Sequence, residues 1–259
     1  MYKLKDFLGF LEQYAPLELS YKTIEKGGYD NSGIIVDSGK AVQKTLFCLD
    51  LNKESVEQAV NLGVDTIVTH HPAIYSPLKS LRVEGEGESV LFAIQNGLNV
   101  ISMHLNLDLA KEGIDHYLAS AFGAKNYKIL DILCDGFGYG REFLVDKTVE
   151  ELVGDAKKLF KTDKILAYGG GKIEKIATFC GSGASIALDL IRKDKCDADA
   201  IVTSDVAHHE LLEMIKQNKK VIIIPHYVSE EYGFNKFYEW TKENSDKVQA
   251  YYFDDKRFR

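Results

Sequence analysis

Short runs of apolar residues recur along this chain, and helical spacing follows most of them. Residues 66–70 (TIVTH), 99–104 (NVISMH), 200–204 (AIVTS) and 221–225 (VIIIP) show little of the polar alternation that a one-sided antiparallel sheet imposes. Strands buried on both faces need helices above and below them, which is the arrangement of a parallel α/β sheet. Further strands are predicted at 44–51 and 175–180. Helices are predicted near 53–62, 88–96, 108–122, 184–193, 207–218 and 234–244, and the opening MYKLKDFLGFLEQY has the spacing of an amphipathic helix rather than a leader peptide.

The two halves of this pattern match each other. Asp65-Thr-Ile-Val-Thr69 aligns with Asp199-Ala-Ile-Val-Thr203 at an offset of 134. Gln95-Asn96 aligns with Gln217-Asn218, His104 with His226, and Asp108 with Glu230, all at an offset of 122. The expected fold is therefore α/β: two similar lobes from an internal duplication, with mainly parallel sheets and a cleft between them. Residues 1–126 would form the first lobe and 172–259 the second. Residues 127–171, with Gly136, Gly138, Gly140 and Gly169 to Gly171, read as turns around a joining helix at 149–160, the whole forming one compact unit.

Composition narrows the function. A net charge of −7 and the lack of a basic stripe disfavour nucleic acid as a partner. No apolar run approaches the roughly 20 residues that span a bilayer. The four cysteines (48, 134, 180 and 196) form no CxxC pair, so neither a disulfide framework nor a thiolate zinc site is expected. These features fit a cytoplasmic protein.

Chemistry gathers at the predicted strand ends, where open α/β sheets place their ligands. Thr69-His70-His71-Pro72 follows one strand, and Pro72 holds His71 extended. His104-Leu-Asn-Leu-Asp108 and His226-Tyr-Val-Ser-Glu230 follow two others. Their four-residue spacing puts both side chains on one face of a helical turn. Histidine and carboxylate together suit zinc, manganese or iron. The expected metal ligands are His70, His71, Asp108, His226 and Glu230, for two divalent ions per chain. Glu230 or Asp108 would bridge, and His104 would orient a ligand from behind. Ser204-Asp205 replaces the paired histidines in the second half, and His208 and His209 follow on a helix. One of these two, with the preference to His209, is expected to carry protons. His116 reads as an ordinary surface or interface histidine. Cys180-Gly-Ser-Gly-Ala184 before a helix fits either an anion-binding turn or a tight turn with a serine cap.

As a set, Tyr29-Asp-Asn-Ser-Gly33, THHP, HLNLD, CGSG, AHHE and HYVSE resemble the Nif-three-like family, the GTP cyclohydrolase I type 2 homologues, over nearly the whole chain. That family usually has a tryptophan where Tyr29 stands. The resemblance implies a dinuclear centre with His71 and Asp108 on one ion, His70 and His226 on the other, and Glu230 bridging. Asp205 stands where the family commonly has a glutamate after glycine, a departure that bears on the cleft wall. A cytoplasmic homohexameric ring and hydrolysis of GTP or a related small phosphorylated molecule are also implied. Two other classes compete with the hydrolase: a non-catalytic metal-binding or delivery protein, and an interaction or DNA-binding ring.

Overall fold

The computed structural model describes residues 1–258, which form two compact units. The first comprises Met1–Ala110 with Phe234–Asp255, and the second comprises Lys111–Gly233 with residues 256–258. This division differs from the lobes expected at 126 and 171, because the chain returns to the first unit after Gly233.

Elements of the first unit run α1 (Leu4–Leu11), α2 (Glu18–Glu25), β1 (Gly33–Val36), β2 (Lys44–Cys48), α3 (Lys53–Leu62), β3 (Thr66–Thr69), α4 (Glu88–Gln95), β4 (Asn99–Ser102) and α5 (Leu105–Leu109). The second unit continues with α6 (Ile114–Ala121), β5 (Lys128–Cys134), β6 (Phe137–Thr148), α7 (Val149–Phe160), β7 (Leu166–Tyr168), β8 (Lys172–Thr178), α8 (Ala184–Arg192), β9 (Ala200–Thr203), α9 (His208–Lys216) and β10 (Lys220–Ile223). Helix α10 (His226–Asn244) begins in the second unit and ends in the first, where β11 (Gln249–Tyr252) follows.

The first sheet has the order β1-β4-β3-β2-β11, and all its pairings are parallel except that of β1 with β4. One face packs α3 and α4 through Val56, Ala59 and Ala93. Elsewhere in the unit, α1 stacks Phe10 on Trp240 of α10, and Phe47 of β2 meets Phe234, Phe237 and Tyr238. The second sheet has the order β5-β6-β8-β9-β10-β7. Only β8-β9 and β9-β10 pair in parallel there, so the expectation of mainly parallel sheets describes the first sheet and the centre of the second. Helices α8 and α9 cover that centre through Ala187, Leu188, Ile191 and Met214.

The segment 127–171, expected as a connector, belongs to the second unit. Gly136, Gly138 and Gly140 sit in a β5-β6 hairpin, with Gly136 at the turn at φ 76°, and Gly169 to Gly171 join β7 to β8. Helix α7 starts as expected, with a Thr148–Glu151 capping box. The predicted helix at 108–122 is two helices, α5 and α6, broken at residues 110–113.

The two units repeat a set of hydrogen bonds. The Asp65 carboxylate accepts from the amides of Gln43 and Lys44, and the Asp199 carboxylate accepts from those of Glu174 and Lys175. The turns that close α3 and α4 use Gly63 and Gly97 in the left-handed region, and those closing α8 and α9 use Asp194 and Asn218. The structural repeat runs alongside the matches in the sequence. It also corrects one match: Gly97, not Asn96, is the counterpart of Asn218, and the strands align at an offset of 121. The inserted Pro225 restores the offset of 122 at His226.

Candidate metal centre

In the first unit, three strand ends and one loop hold three imidazoles together. The Thr69 hydroxyl, at the end of β3, donates to the His71 carbonyl at 2.8 Å and lies 2.8 Å from the Ser102 hydroxyl, which fixes the bend through His70-His71. His70 is fully buried, and its Nδ1 donates to the Met103 carbonyl at 2.9 Å. A carbonyl only accepts, so the proton sits on Nδ1 and the lone pair on Nε2. The His71 Nδ1 donates to Asp50, just past β2, at 2.7 Å. The His104 Nδ1 donates to Asp30 at 2.7 Å, and Asp30 also accepts from the Ser32 hydroxyl. Burial raises the Asp30 pKa, but the bonds from His104, Ser20 and Ser32 outweigh it and hold the carboxyl below the ordinary carboxylate range. The ring nitrogens of His70, His71 and His104 lie within 4.8 Å of one another and can hold a metal ion.

Asp108 projects from α5, whose turn is closed by the Asp108 amide donating to the His104 carbonyl at 3.0 Å. Its Oδ1 lies 3.5 Å from His70 Nε2. The structure therefore brings Asp108 to His70, where the resemblance implies His71.

The second unit gathers a histidine and a carboxylate of its own. His226 opens α10, and its Nδ1 donates to Asp205 at 2.6 Å; Asp205 also accepts from the Ser182 hydroxyl at 2.6 Å. Burial raises Asp205, yet these two bonds keep its pKa lowered. Glu230, one turn on, is buried, with Oε1 3.0 Å from His226 Nε2. Gly181 lies against this pair. It adopts φ 54°, and a Cβ there would collide with Glu230 Oε1 and reach to 3.4 Å from His226 Cε1. The turn is pinned from below by Asp115, which accepts from the amides of Cys180 (3.2 Å) and Gly140 (2.8 Å) and from the buried Arg141 guanidinium (3.0 Å). Two amides of the Cys180-Gly-Ser-Gly turn are thus committed within the protein, that of Cys180 to Asp115 and that of Gly181 to the Ser229 hydroxyl at 3.1 Å. Ser182 does not cap α8, whose N-cap is Gly183 without a side-chain bond.

The donor set fits a divalent cation. An Nε2 lone pair and a carboxylate oxygen repel one another unless a cation or proton lies between them. Two ligand atoms, each about 2.0–2.2 Å from one ion, stand about 3–3.5 Å apart. The His70–Asp108 and His226–Glu230 separations have that spacing. Each histidine is also oriented through its other nitrogen, three of the four by a carboxylate, as metal-binding imidazoles generally are.

His208 and His209 both stand exposed at the start of α9, with His209 near Glu213 on the same helix. His116 is half-buried and bonded to the Tyr127 hydroxyl at 2.8 Å; burial, then the Arg141 charge, lowers its pKa. Sequence reasoning assigned no role to Asp50, and quoted Asp30 only within a motif. Cys48, Cys180 and Cys196 are buried, and burial pushes the Cys48 thiol up to about 12.

The model of the Duf34/NIF3 (NGG1p interacting factor 3) family matches residues 2–256. The chain belongs to the NIF3 family. It is 31% identical over 254 residues to a Clostridium perfringens protein described as GTP cyclohydrolase 1 type 2 homolog, covering 94% of this chain and 93% of the relative. The yeast NGG1-interacting factor 3 of Saccharomyces cerevisiae is 28% identical, with 80% of each chain covered. Among solved structures, reduced HcgD from Methanocaldococcus jannaschii superposes with a TM-score of 0.80 at 25% identity, over 97% of this chain and 98% of that one. Among the described residues of this NIF3 member, no helix is long and apolar enough to cross a membrane.

Proposed function

We propose that this chain carries a dinuclear divalent-metal centre and uses it to hydrolyse a nucleotide or another small phosphorylated molecule. The observation that carries the reading is the common anchoring of His70, His71 and His226, each through Nδ1, which leaves Nε2 as the ligand atom; His104 is anchored in the same way on Asp30. His70 and Asp108 would hold one ion and His71 and His226 the other, with Glu230 as the carboxylate they would share. Zinc, manganese and iron all suit these donors.

Divalent ions held there would supply Lewis acidity and an activated water. The residues of the chain do the rest. Asp30, Asp50 and Asp205 fix the tautomers, Gly181 keeps the Glu230 carboxylate in place, and a histidine moves the proton. His209 and His208 are the candidates from the sequence, and His104, buttressed by Asp30, is a third. The relatives' name makes GTP the first substrate to try, and the resemblance makes a homohexameric ring the assembly to expect.

Elemental analysis of gently purified protein should find about two divalent ions per chain. Turnover across a panel of nucleotides and phosphoesters, with chelator controls, should vanish in His71→Ala. Protein that retains no zinc, manganese or iron overturns the centre. Retained metal without any turnover replaces the hydrolase by a metal-binding or delivery protein. Light scattering coupled to gel filtration should report six chains; a monomer overturns the ring alone.

A further inference from the structure

Two tyrosines beside the first unit's histidines have no part in holding metal. Tyr29 and Tyr75 are 49% and 53% exposed, yet their rings meet edge to face with centroids 5.3 Å apart. Tyr75 in turn stands edge-on to His104, at 6.2 Å and 85°. Both are placed by the segment that orients His104. The Asn31 side chain donates to the Ile74 carbonyl at 2.7 Å, fixing the backbone just before Tyr75. On either side of Asn31, Asp30 accepts from the His104 ring, and the Ser32 hydroxyl accepts from the His104 amide at 3.0 Å. Residues 29–32 therefore set one imidazole and two exposed aromatic faces in a fixed relation.

We propose that Tyr29 and Tyr75 form a stacking subsite for a planar ring of the substrate, its chemical class being a nucleobase. The inference rests on the reading of the centre as a site for nucleotides, and it names the part of the nucleotide that the protein holds. Aromatic faces accept any base without reading its edge, and they bury apolar area that otherwise faces water. A sugar phosphate without a base offers these rings nothing to cover, and neither does a bare metal cargo. With Tyr75 against His104, a base stacked there lies within one nucleotide's reach of an ion on the histidines.

The test is calorimetric titration of the full chain, its metal content measured beforehand, with guanosine 5′-monophosphate and, separately, with ribose 5-phosphate. Tyr29→Ala and Tyr75→Ala should each weaken the nucleotide by about fivefold or more. They should leave ribose 5-phosphate within about twofold of wild type, and leave the metal content unchanged. Tyr75→Phe, which keeps the ring, should bind the nucleotide as wild type does. Equal losses for both ligands, unchanged nucleotide binding in the alanine variants, or metal-loaded wild type that ignores the nucleotide would each overturn the subsite. Alanine variants that lose their oligomeric state without losing nucleotide affinity would also overturn it, giving the rings to a second copy of the chain. Tyrosine-dependent nucleotide binding by protein that retains no metal would overturn the metal centre and leave the subsite standing.

Discussion

The two units share a strand–helix–strand plan and place different chemistry on it. In each, three parallel strands lie in sequence order, an aspartate ties the entry of two of them, and a left-handed residue closes each of two helices. After β3 the first unit has His70-His71; after β9 the second has Ser204-Asp205. Asp205 has become a support, holding His226 from behind. Just past β2 the first unit has Asp50, which supports His71, and at the corresponding place past β8 the second has Gly181, which makes room for Glu230. The bonds that fix the backbone recur, while the ligand and support roles move between positions. Each strand end is thus a place for a ligand, a support or a residue that makes room for one, and the fold does not dictate which.

Substitutions can break this contrast or sharpen it. The largest effect belongs to Glu230→Gln. If the second unit supplies the bridge, both ions should be lost, metal content falling from about two to near zero, while Asp108→Asn in the first unit keeps about one. One-ion losses in both variants would put the bridge elsewhere.

The supports come next. Asp50→Ala and Asp205→Ala should each weaken zinc affinity by about 10–100-fold in competition with a chromophoric chelator. A silent Asp205→Ala beside an effective Asp50→Ala would mean that the second unit has no equivalent support.

Acid should then separate the units. Burial pushes Asp115 up to about 6 despite Arg141 and two amides, so the folded chain holds that proton more tightly than the unfolded one. Its contribution is full below about pH 4 and is lost as pH rises through about 6. Asp30, lowered, behaves oppositely: its contribution is present above the ordinary carboxylate range and is lost on acidification. Urea titrations between roughly pH 4 and 7 should show wild type losing stability relative to Asp115→Asn as pH rises, by on the order of 1–3 kcal/mol, whereas its margin over Asp30→Asn should stay nearly constant there and shrink only on acidification below about pH 4. A flat Asp115 comparison would mean that Arg141 keeps the carboxylate ionised throughout.

The smallest effect lies in the helix closures. Gly63→Ala, at φ 64°, should cost about 1 kcal/mol in thermal unfolding, whereas Asn218→Gly, at φ 58°, should add a few tenths to about 1 kcal/mol. Equal signs would deny that the second unit carries local strain that the first avoids.

Much of this was legible beforehand. Helix α3 has the predicted span, since Asn52 and Gly63 mark its ends, and the strand-end histidines stand out because apolar runs lead into them. The β5-β6 hairpin was missed because its glycines dominate the reading and its outward residues mix Asp131, Ile132 and Leu144 without strict alternation. Edge strands β1 and β11 are four residues each and carry little pattern. Helix α10 starts eight residues before the predicted position, because Gly233 looks like a stop. Asp50 and Asp30 were illegible as supports. Each is a lone aspartate whose partner lies 21 or 74 residues away, and no local rule links them.

The return of α10 and β11 to the first sheet sets the order in which the molecule can be completed. Synthesis delivers residues 1–110 first, but β2 lacks its β11 neighbour, and Phe47 lacks Phe234, Phe237 and Tyr238, until the last part of the chain has left the ribosome. The second sheet comes entirely from one continuous stretch, residues 128–223, and has all its strands before then. The half that is made first is therefore finished last. In the interval it presents an open strand edge and an uncovered aromatic ring, the features that invite pairing with other nascent chains.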